Sequence, residues 1–196
     1  MKLWSWLSAV NRALGRGIFP QGLSFLLELR LRRLILSPAD LVDRLSLTPA
    51  SQVLEVGPGP GYYSVTVAKA VPHGRLELLD LQPEMLERAK RKLQAHSLLN
   101  VGYTQSNAAT IPFPDSSFDV AFLVAVLGEI KKRGEFLREA NRVIKPGGIL
   151  SISEHYPDPD FSSLGEVKTI VEEHGFKLIS NHGKSWSYTA NFLKRD

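Results

Sequence analysis

The chain contains no cysteine. That absence excludes disulfides, thiolate metal sites and thiol catalysis. It fits a reducing, cytoplasmic setting. No apolar run approaches the ~20 residues of a membrane-spanning helix. The longest early one, Leu3 to Val10, is short and broken by serines, and it lacks the cleavage pattern of a signal peptide. Low-complexity tracts and internal repeats are also missing. Beyond residue 36 there is no excess of positive charge. The first 36 residues hold Lys2, Arg12, Arg16, Arg30, Arg32 and Arg33 against Glu28 alone. The rest carries 18 basic and 19 acidic side chains of the chain's 24 and 20. The pI of 9.4 therefore describes the leader. A basic stripe with interleaved aromatics, the footprint of nucleic-acid binding, is not evident, and no nucleic acid is expected as a partner.

With 196 residues, the chain suits one domain with a sizeable core. Residues 1–36 form a helical leader or lid, and residues 37–196 form the domain. In GLSFLLELRLRRLILS, Leu23, Leu27, Leu31, Leu34 and Ile35 fall on one helical stripe, which Arg30 interrupts. Either this helix packs on the domain, or the leader makes a peripheral membrane contact. In the second case Trp4 and Trp6 sit at the interface and the arginines near anionic headgroups.

The domain alternates strand and helix. Ser37-Pro38-Ala39-Asp40 opens a helix reaching about Leu45. Strands are predicted over 52–56, 75–80, 101–106, 118–124 and 149–153, with helices over 62–70 and 83–95. A further helix carries Phe136, Leu137, Ala140, Val143 and Ile144, and Pro146-Gly147-Gly148 ends it. Ser163 and Glu166 form a capping box for a helix stopping at Gly175. Strands over 176–181 and 187–193 then make a hairpin about a His-Gly-Lys turn. The predicted fold is an α/β Rossmann-like sandwich, a mostly parallel seven-stranded sheet with a C-terminal antiparallel hairpin. Ligands of such sheets bind beyond the carboxyl ends of the strands.

The stretch VLEVGPGPGYYS stands at one such end. Its glycines, Gly57, Gly59 and Gly61, are one residue too close for the dinucleotide pattern G-x-G-x-x-G, and no Gly-Lys-Ser/Thr follows for a P-loop. Glu55 beside the loop would repel a pyrophosphate but would receive an ammonium group. Together with LLDLQPEML, NAATIPFPDSSFDVAFLVAVL and RVIKPGGILSISE, in that order, this stretch resembles the class I S-adenosylmethionine-dependent methyltransferases. The likeness runs over about residues 38–195 and is greatest to the small ubiquinone- and menaquinone-biosynthesis subgroup.

The resemblance implies S-adenosylmethionine as methyl donor, with no metal. Glu55 and the glycine loop would take the amino-acid end of the donor. Asp80 would accept from both ribose hydroxyls. Asn107 stands where the family usually has an aspartate for the adenine amino group, with Ala108 beside it, and Leu81 would cover an adenine face. Tyr62 and Tyr63 either pack at the helix start or bring a ring, assigned to Tyr63, near the sulfonium. Methyl transfer from a sulfonium is an in-line displacement, so the enzyme's work is mainly positioning. A small, hydrophobic or lipid-like acceptor is expected. The alternatives are a macromolecular acceptor, protein or RNA, and a non-catalytic binding module. On the acceptor side lie Gly128-Glu129 and Glu154-His155-Tyr156. His155 is the best placed base, or else a surface loop histidine.

Overall fold

The computed structural model describes residues 36–156 and 158–195. Residues 1–35, on which the expected leader helices and the expected membrane contact fall, lie outside the described residues. Residues from Ser37 onward form one compact unit.

Ser37 accepts from the Asp40 N–H and opens α1 (Pro38–Arg44), with proline in the first turn. Next come β1 (Gln52–Val56), α2 (Ser64–Ala70), β2 (Arg75–Asp80), α3 (Pro83–Ala95), β3 (Val101–Gln105) and β4 (Phe118–Val124). A 3-10 turn at Leu127–Glu129 leads to α4 (Arg133–Val143), β5 (Ile144–His155), α5 (Leu164–Glu172), β6 (Phe176–Lys184) and β7 (Ser187–Lys194). The sheet order is β3-β2-β1-β4-β5-β7-β6. The first five strands run parallel, and β7 is antiparallel to both β5 and β6.

Side-chain alternation distributes the core over two faces. On one, Leu54, Val56, Leu123, Ile152 and Phe192 pack with Phe136, Leu137 and Ala140 of α4 and Val167 and Val171 of α5. The alternate positions turn to the other face. There Ser64 of α2 meets Glu55, and Arg44 of α1 donates to Thr189 while its carbonyl accepts from Asn191. Helices thus cover both sides.

Three boundaries differ from those expected. The helix after the glycine loop starts at Ser64, because residues 58–63 turn first. Strand β5 begins at Ile144 and runs through Pro-Gly-Gly. The register steps from Phe118↔Ile144 to Val120↔Ile149, so these residues form a bulge instead of a break. A Cβ on Gly148 would lie 2.8 Å from the Asp119 carbonyl oxygen, which explains the glycine. The third correction concerns the hairpin. His182, Gly183 and Lys184 belong to β6, paired with Thr189, Tyr188 and Ser187, and the turn is Ser185-Trp186. Gly183 has φ +107, and a Cβ there would strike the Ser187 carbonyl. Close approach across the ladder accounts for this glycine.

Candidate functional site

The carboxyl ends of β1, β2 and β4 meet around the glycine loop. Gly57, Gly59 and Gly61 have φ of +67, +53 and +74, a left-handed conformation that side-chain-bearing residues avoid. Their surroundings differ. A Cβ on Gly57 would lie 2.7 and 2.9 Å from the methyl groups of Val126, and one on Gly61 would lie 3.1 Å from Ala89 of α3. Around a Cβ on Gly59 there is nothing within 4 Å among the described residues. Two glycines therefore let protein pack closely, and the middle one faces open space. The Gly57 N–H donates to Leu79 O at 2.9 Å, tying the loop to β2.

Val126 owes its place to its predecessor. Ala125 is buried, has φ +53 and donates its N–H to Ser153 O at 2.8 Å. Alanine in that conformation costs about 1 kcal/mol or more, and such strain is characteristic of functional sites. The kink turns the chain out of β4 and sets Val126 over Gly57.

Two buried carboxylates flank the loop. Glu55 accepts from the Ser64 hydroxyl at 2.6 Å. Burial pushes Glu55 up to about 8, the Ser64 hydroxyl opposing this and the Asp80 charge adding to it. Asp80 accepts from the Gln82 N–H at 2.9 Å. Burial raises it as well, against the N–H groups of Gln82, Gly59 and Leu81. Among the described residues no arginine or lysine forms an ion pair with either acid. Adjacent acids that cost energy when charged, beside inward N–H groups, suit a ligand carrying both a cation and hydroxyls.

The other expected residues are placed as follows. Leu81 is 64% exposed and so is not core packing. The Ser106 N–H donates to Asp80 O at 3.1 Å, bringing Asn107 and Ala108 beside β2. Asn107 is exposed and its carbonyl oxygen already accepts from the Ala109 N–H at 2.9 Å; Ala108 packs on the core. Tyr63 is buried, its ring edge-on to Tyr62 with centroids 4.8 Å apart. His155 is no surface loop residue: it ends β5, buried, opposite Ser187. It faces away from Glu154, its strand neighbour. Among the described residues no group of three His, Asp or Glu could hold a metal ion.

Two features escaped the sequence. Ser64 carried no signal beyond its place in a helix. Arg142 of α4 donates to the carbonyls of Ile111 and Phe113 and to Glu139 and Asp115, each at 2.8 Å. It thereby holds the segment after Asn107. Its one trace was its place just ahead of Pro-Gly-Gly.

Known proteins match this arrangement. Residues 54–152 fit the family model described as a methyltransferase domain. The ubiquinone/menaquinone biosynthesis C-methyltransferase UbiE of Vibrio parahaemolyticus is 30% identical over 159 residues, covering 78% of this chain and 61% of that protein. The chain thus spans about three fifths of the length of such curated relatives. The crystal structure of a SAM dependent methyltransferase from Aquifex aeolicus superposes with a TM-score of 0.77 at 27% identity, covering 83% of this chain and 92% of that one. The [4+2]-cyclase SpnF, 18% identical, superposes with a TM-score of 0.72 over 80% of this chain and 79% of its own, a likeness of fold alone.

Proposed function

The chain belongs to the methyltransferase-domain family, and from that premise we propose that it transfers a methyl group from S-adenosylmethionine to a small, hydrophobic or lipid-like acceptor. The observation that carries this reading is the pair Glu55 and Asp80 on either side of the open Gly59 backbone. In the proposed assignment Glu55 receives the donor's ammonium group and Asp80 its ribose hydroxyls. The N–H groups of the glycine loop meet its carboxylate. Leu81, Asn107 and Ala108 border its adenine, and Tyr63 backs the loop. Gly57 and Gly61 shape the site by close packing on Val126 and α3. The donor supplies an activated methyl group on a good leaving group. This chain's residues have to orient it, exclude water and dispose of any proton the acceptor loses.

The acceptor class is supported by the relatives' printed role in quinone biosynthesis and by the apolar, arginine-bearing leader. Residues 1–36 are proposed as lid, membrane contact or both. Among the described residues no helix is long and apolar enough to cross a membrane. A likeness of fold to a cyclase shows that this architecture does not fix the reaction. The test is therefore transfer itself. Protein is incubated with methyl-labelled S-adenosylmethionine and fractionated cell extract. Label in an organic-soluble product supports the proposal. Label in protein or RNA moves the acceptor to a macromolecule, and no label with retained donor binding leaves a binding module.

A further inference from the structure

Asn107 opens a tight turn after β3, and that turn fixes which way its amide points. The Ala109 N–H donates to Asn107 Oδ1 at 2.9 Å, and the Thr110 N–H to the Asn107 carbonyl at 2.9 Å. The Ser106 hydroxyl closes the turn on Thr110 O at 2.7 Å. An amide turned end for end would set its NH2 against the Ala109 N–H, donor against donor. The oxygen therefore serves the turn. The atom left outward is Nδ2, which has no partner among the described residues. An aspartate in this place would differ in one respect. With one oxygen on the Ala109 N–H, it would keep a second oxygen, an acceptor, where asparagine has a donor.

The next group along the chain is a donor too. The Ala108 N–H makes no hydrogen bond among the described residues. The carboxylates on this segment are engaged elsewhere. Asp115 and Glu139 both accept from Arg142, and Glu139 also accepts from the Ile111 N–H. Gln105 reaches back to the Leu81 carbonyl at 3.5 Å. The edge assigned to the base thus presents two adjacent donors, Asn107 Nδ2 and the Ala108 N–H.

We propose that this pair makes the chain nearly indifferent to the group at the purine 6-position, so that a 6-oxopurine (hypoxanthine) form of the donor binds almost as well as the adenine form. The inference rests on the methyltransferase reading and concerns its base-binding edge. Adenine carries an acceptor, N1, beside its amino group, a donor. Against two donors it satisfies one and opposes the other. Hypoxanthine carries an acceptor, O6, beside N1–H, a donor. It too satisfies one and opposes the other. The matches are equal in number, so hydrogen-bond polarity gives the chain little to choose by. Asn107 is exposed, and water can relieve the mismatch in either case. An aspartate at position 107 would break the tie. An acceptor beside the Ala108 N–H complements adenine at both points and hypoxanthine at neither.

Calorimetry on the full chain tests this without turnover. The probes are S-adenosylhomocysteine, the donor less its methyl group, and S-inosylhomocysteine, which has oxygen in place of the amino group. Wild type should bind the two within about tenfold of each other, and Asn107→Asp should move the ratio at least about tenfold toward the adenosyl form. A merely structural role for Asn107 would change both affinities together and leave their ratio alone. A wild-type preference for either probe beyond about tenfold would overturn the proposal, as would a smaller shift in Asn107→Asp. Aspartate keeps an oxygen for the Ala109 N–H, so the variant should fold; if it does not, the wild-type ratio decides alone. Binding of neither probe defeats the methyltransferase reading, and the proposal with it.

Discussion

The Ser64 hydroxyl, one residue into α2, donates to Glu55 Oε2 at 2.6 Å and holds a carboxylate that burial would rather see protonated. The consequence is a proton balance. With Glu55 up to about 8, much of it is protonated at neutral pH, whereas an ammonium ligand requires it charged. S-adenosylmethionine binding should release about one proton near pH 7 and tighten as pH rises to 8. Calorimetry in buffers of different ionisation enthalpy measures the proton count. A count near zero would remove Glu55 from the ammonium role.

The same acid sets the pH dependence of ligand-free stability. Folding raises Glu55, Asp80 and Glu154. Between the ordinary carboxylate range and about 7–8 the folded chain therefore binds more protons than the unfolded one. Stability conferred by these groups is complete below that range and declines as pH rises through it. Melting temperature without ligand should fall from pH 5 to 8, and Glu55→Gln should flatten the fall.

Asp80→Asn keeps an oxygen for the Gln82 N–H but loses charge toward the ribose. Charge-assisted hydrogen bonds contribute about 1.5–3 kcal/mol, so donor affinity should drop roughly tenfold or more. Asp80→Ala should drop it at least as far. Unchanged calorimetric affinity in both would exclude Asp80 from this contact.

Gly59→Ala separates binding from folding. Its Cβ meets nothing among the described residues, so the fold should lose only the left-handed penalty of about 1–2 kcal/mol. Donor binding should suffer far more, because the methyl group occupies the open approach to the loop. Gly57→Ala should unfold more readily, since its Cβ collides with Val126. Adding Val126→Ala should restore part of that loss in thermal melts.

Arg142→Lys should detach the segment after Asn107. It forfeits the planar fork that satisfies the Ile111 and Phe113 carbonyls. We expect a loss of about 1–3 kcal/mol in denaturant unfolding and weaker donor binding, with the sheet intact by circular dichroism.

Period and punctuation made the layers legible. Alternating strands and helices gave the architecture, and the spacing of Gly57, Gly59 and Gly61 beside Glu55 directed attention to the loop that leaves the carboxyl end of β1. Two later glycines misled because a glycine reads the same whether it turns the chain or admits a neighbour. Gly183 makes room for the Ser187 carbonyl and Gly148 for that of Asp119, and both contacts are set by strand register, which the glycine itself does not announce. Arg142 and Ser64 were opaque for a related reason. Their importance lies in partners 29 and 9 residues away, and helical period says nothing of what a polar side chain finds there. Glu154 and His155 were seen together, but only the strand's direction shows that they serve opposite faces.

The sheet order also governs synthesis. β5 is followed in sequence by β6, yet its neighbour is β7. A ribosome must therefore deliver all of α5 and β6 before anything can close the edge of β5. Throughout that interval a long, largely apolar strand presents unsatisfied backbone groups to whatever is nearby. The nascent chain is most exposed to aggregation and to chaperone capture during this interval, before Ser187 to Lys194 slot between strands already made.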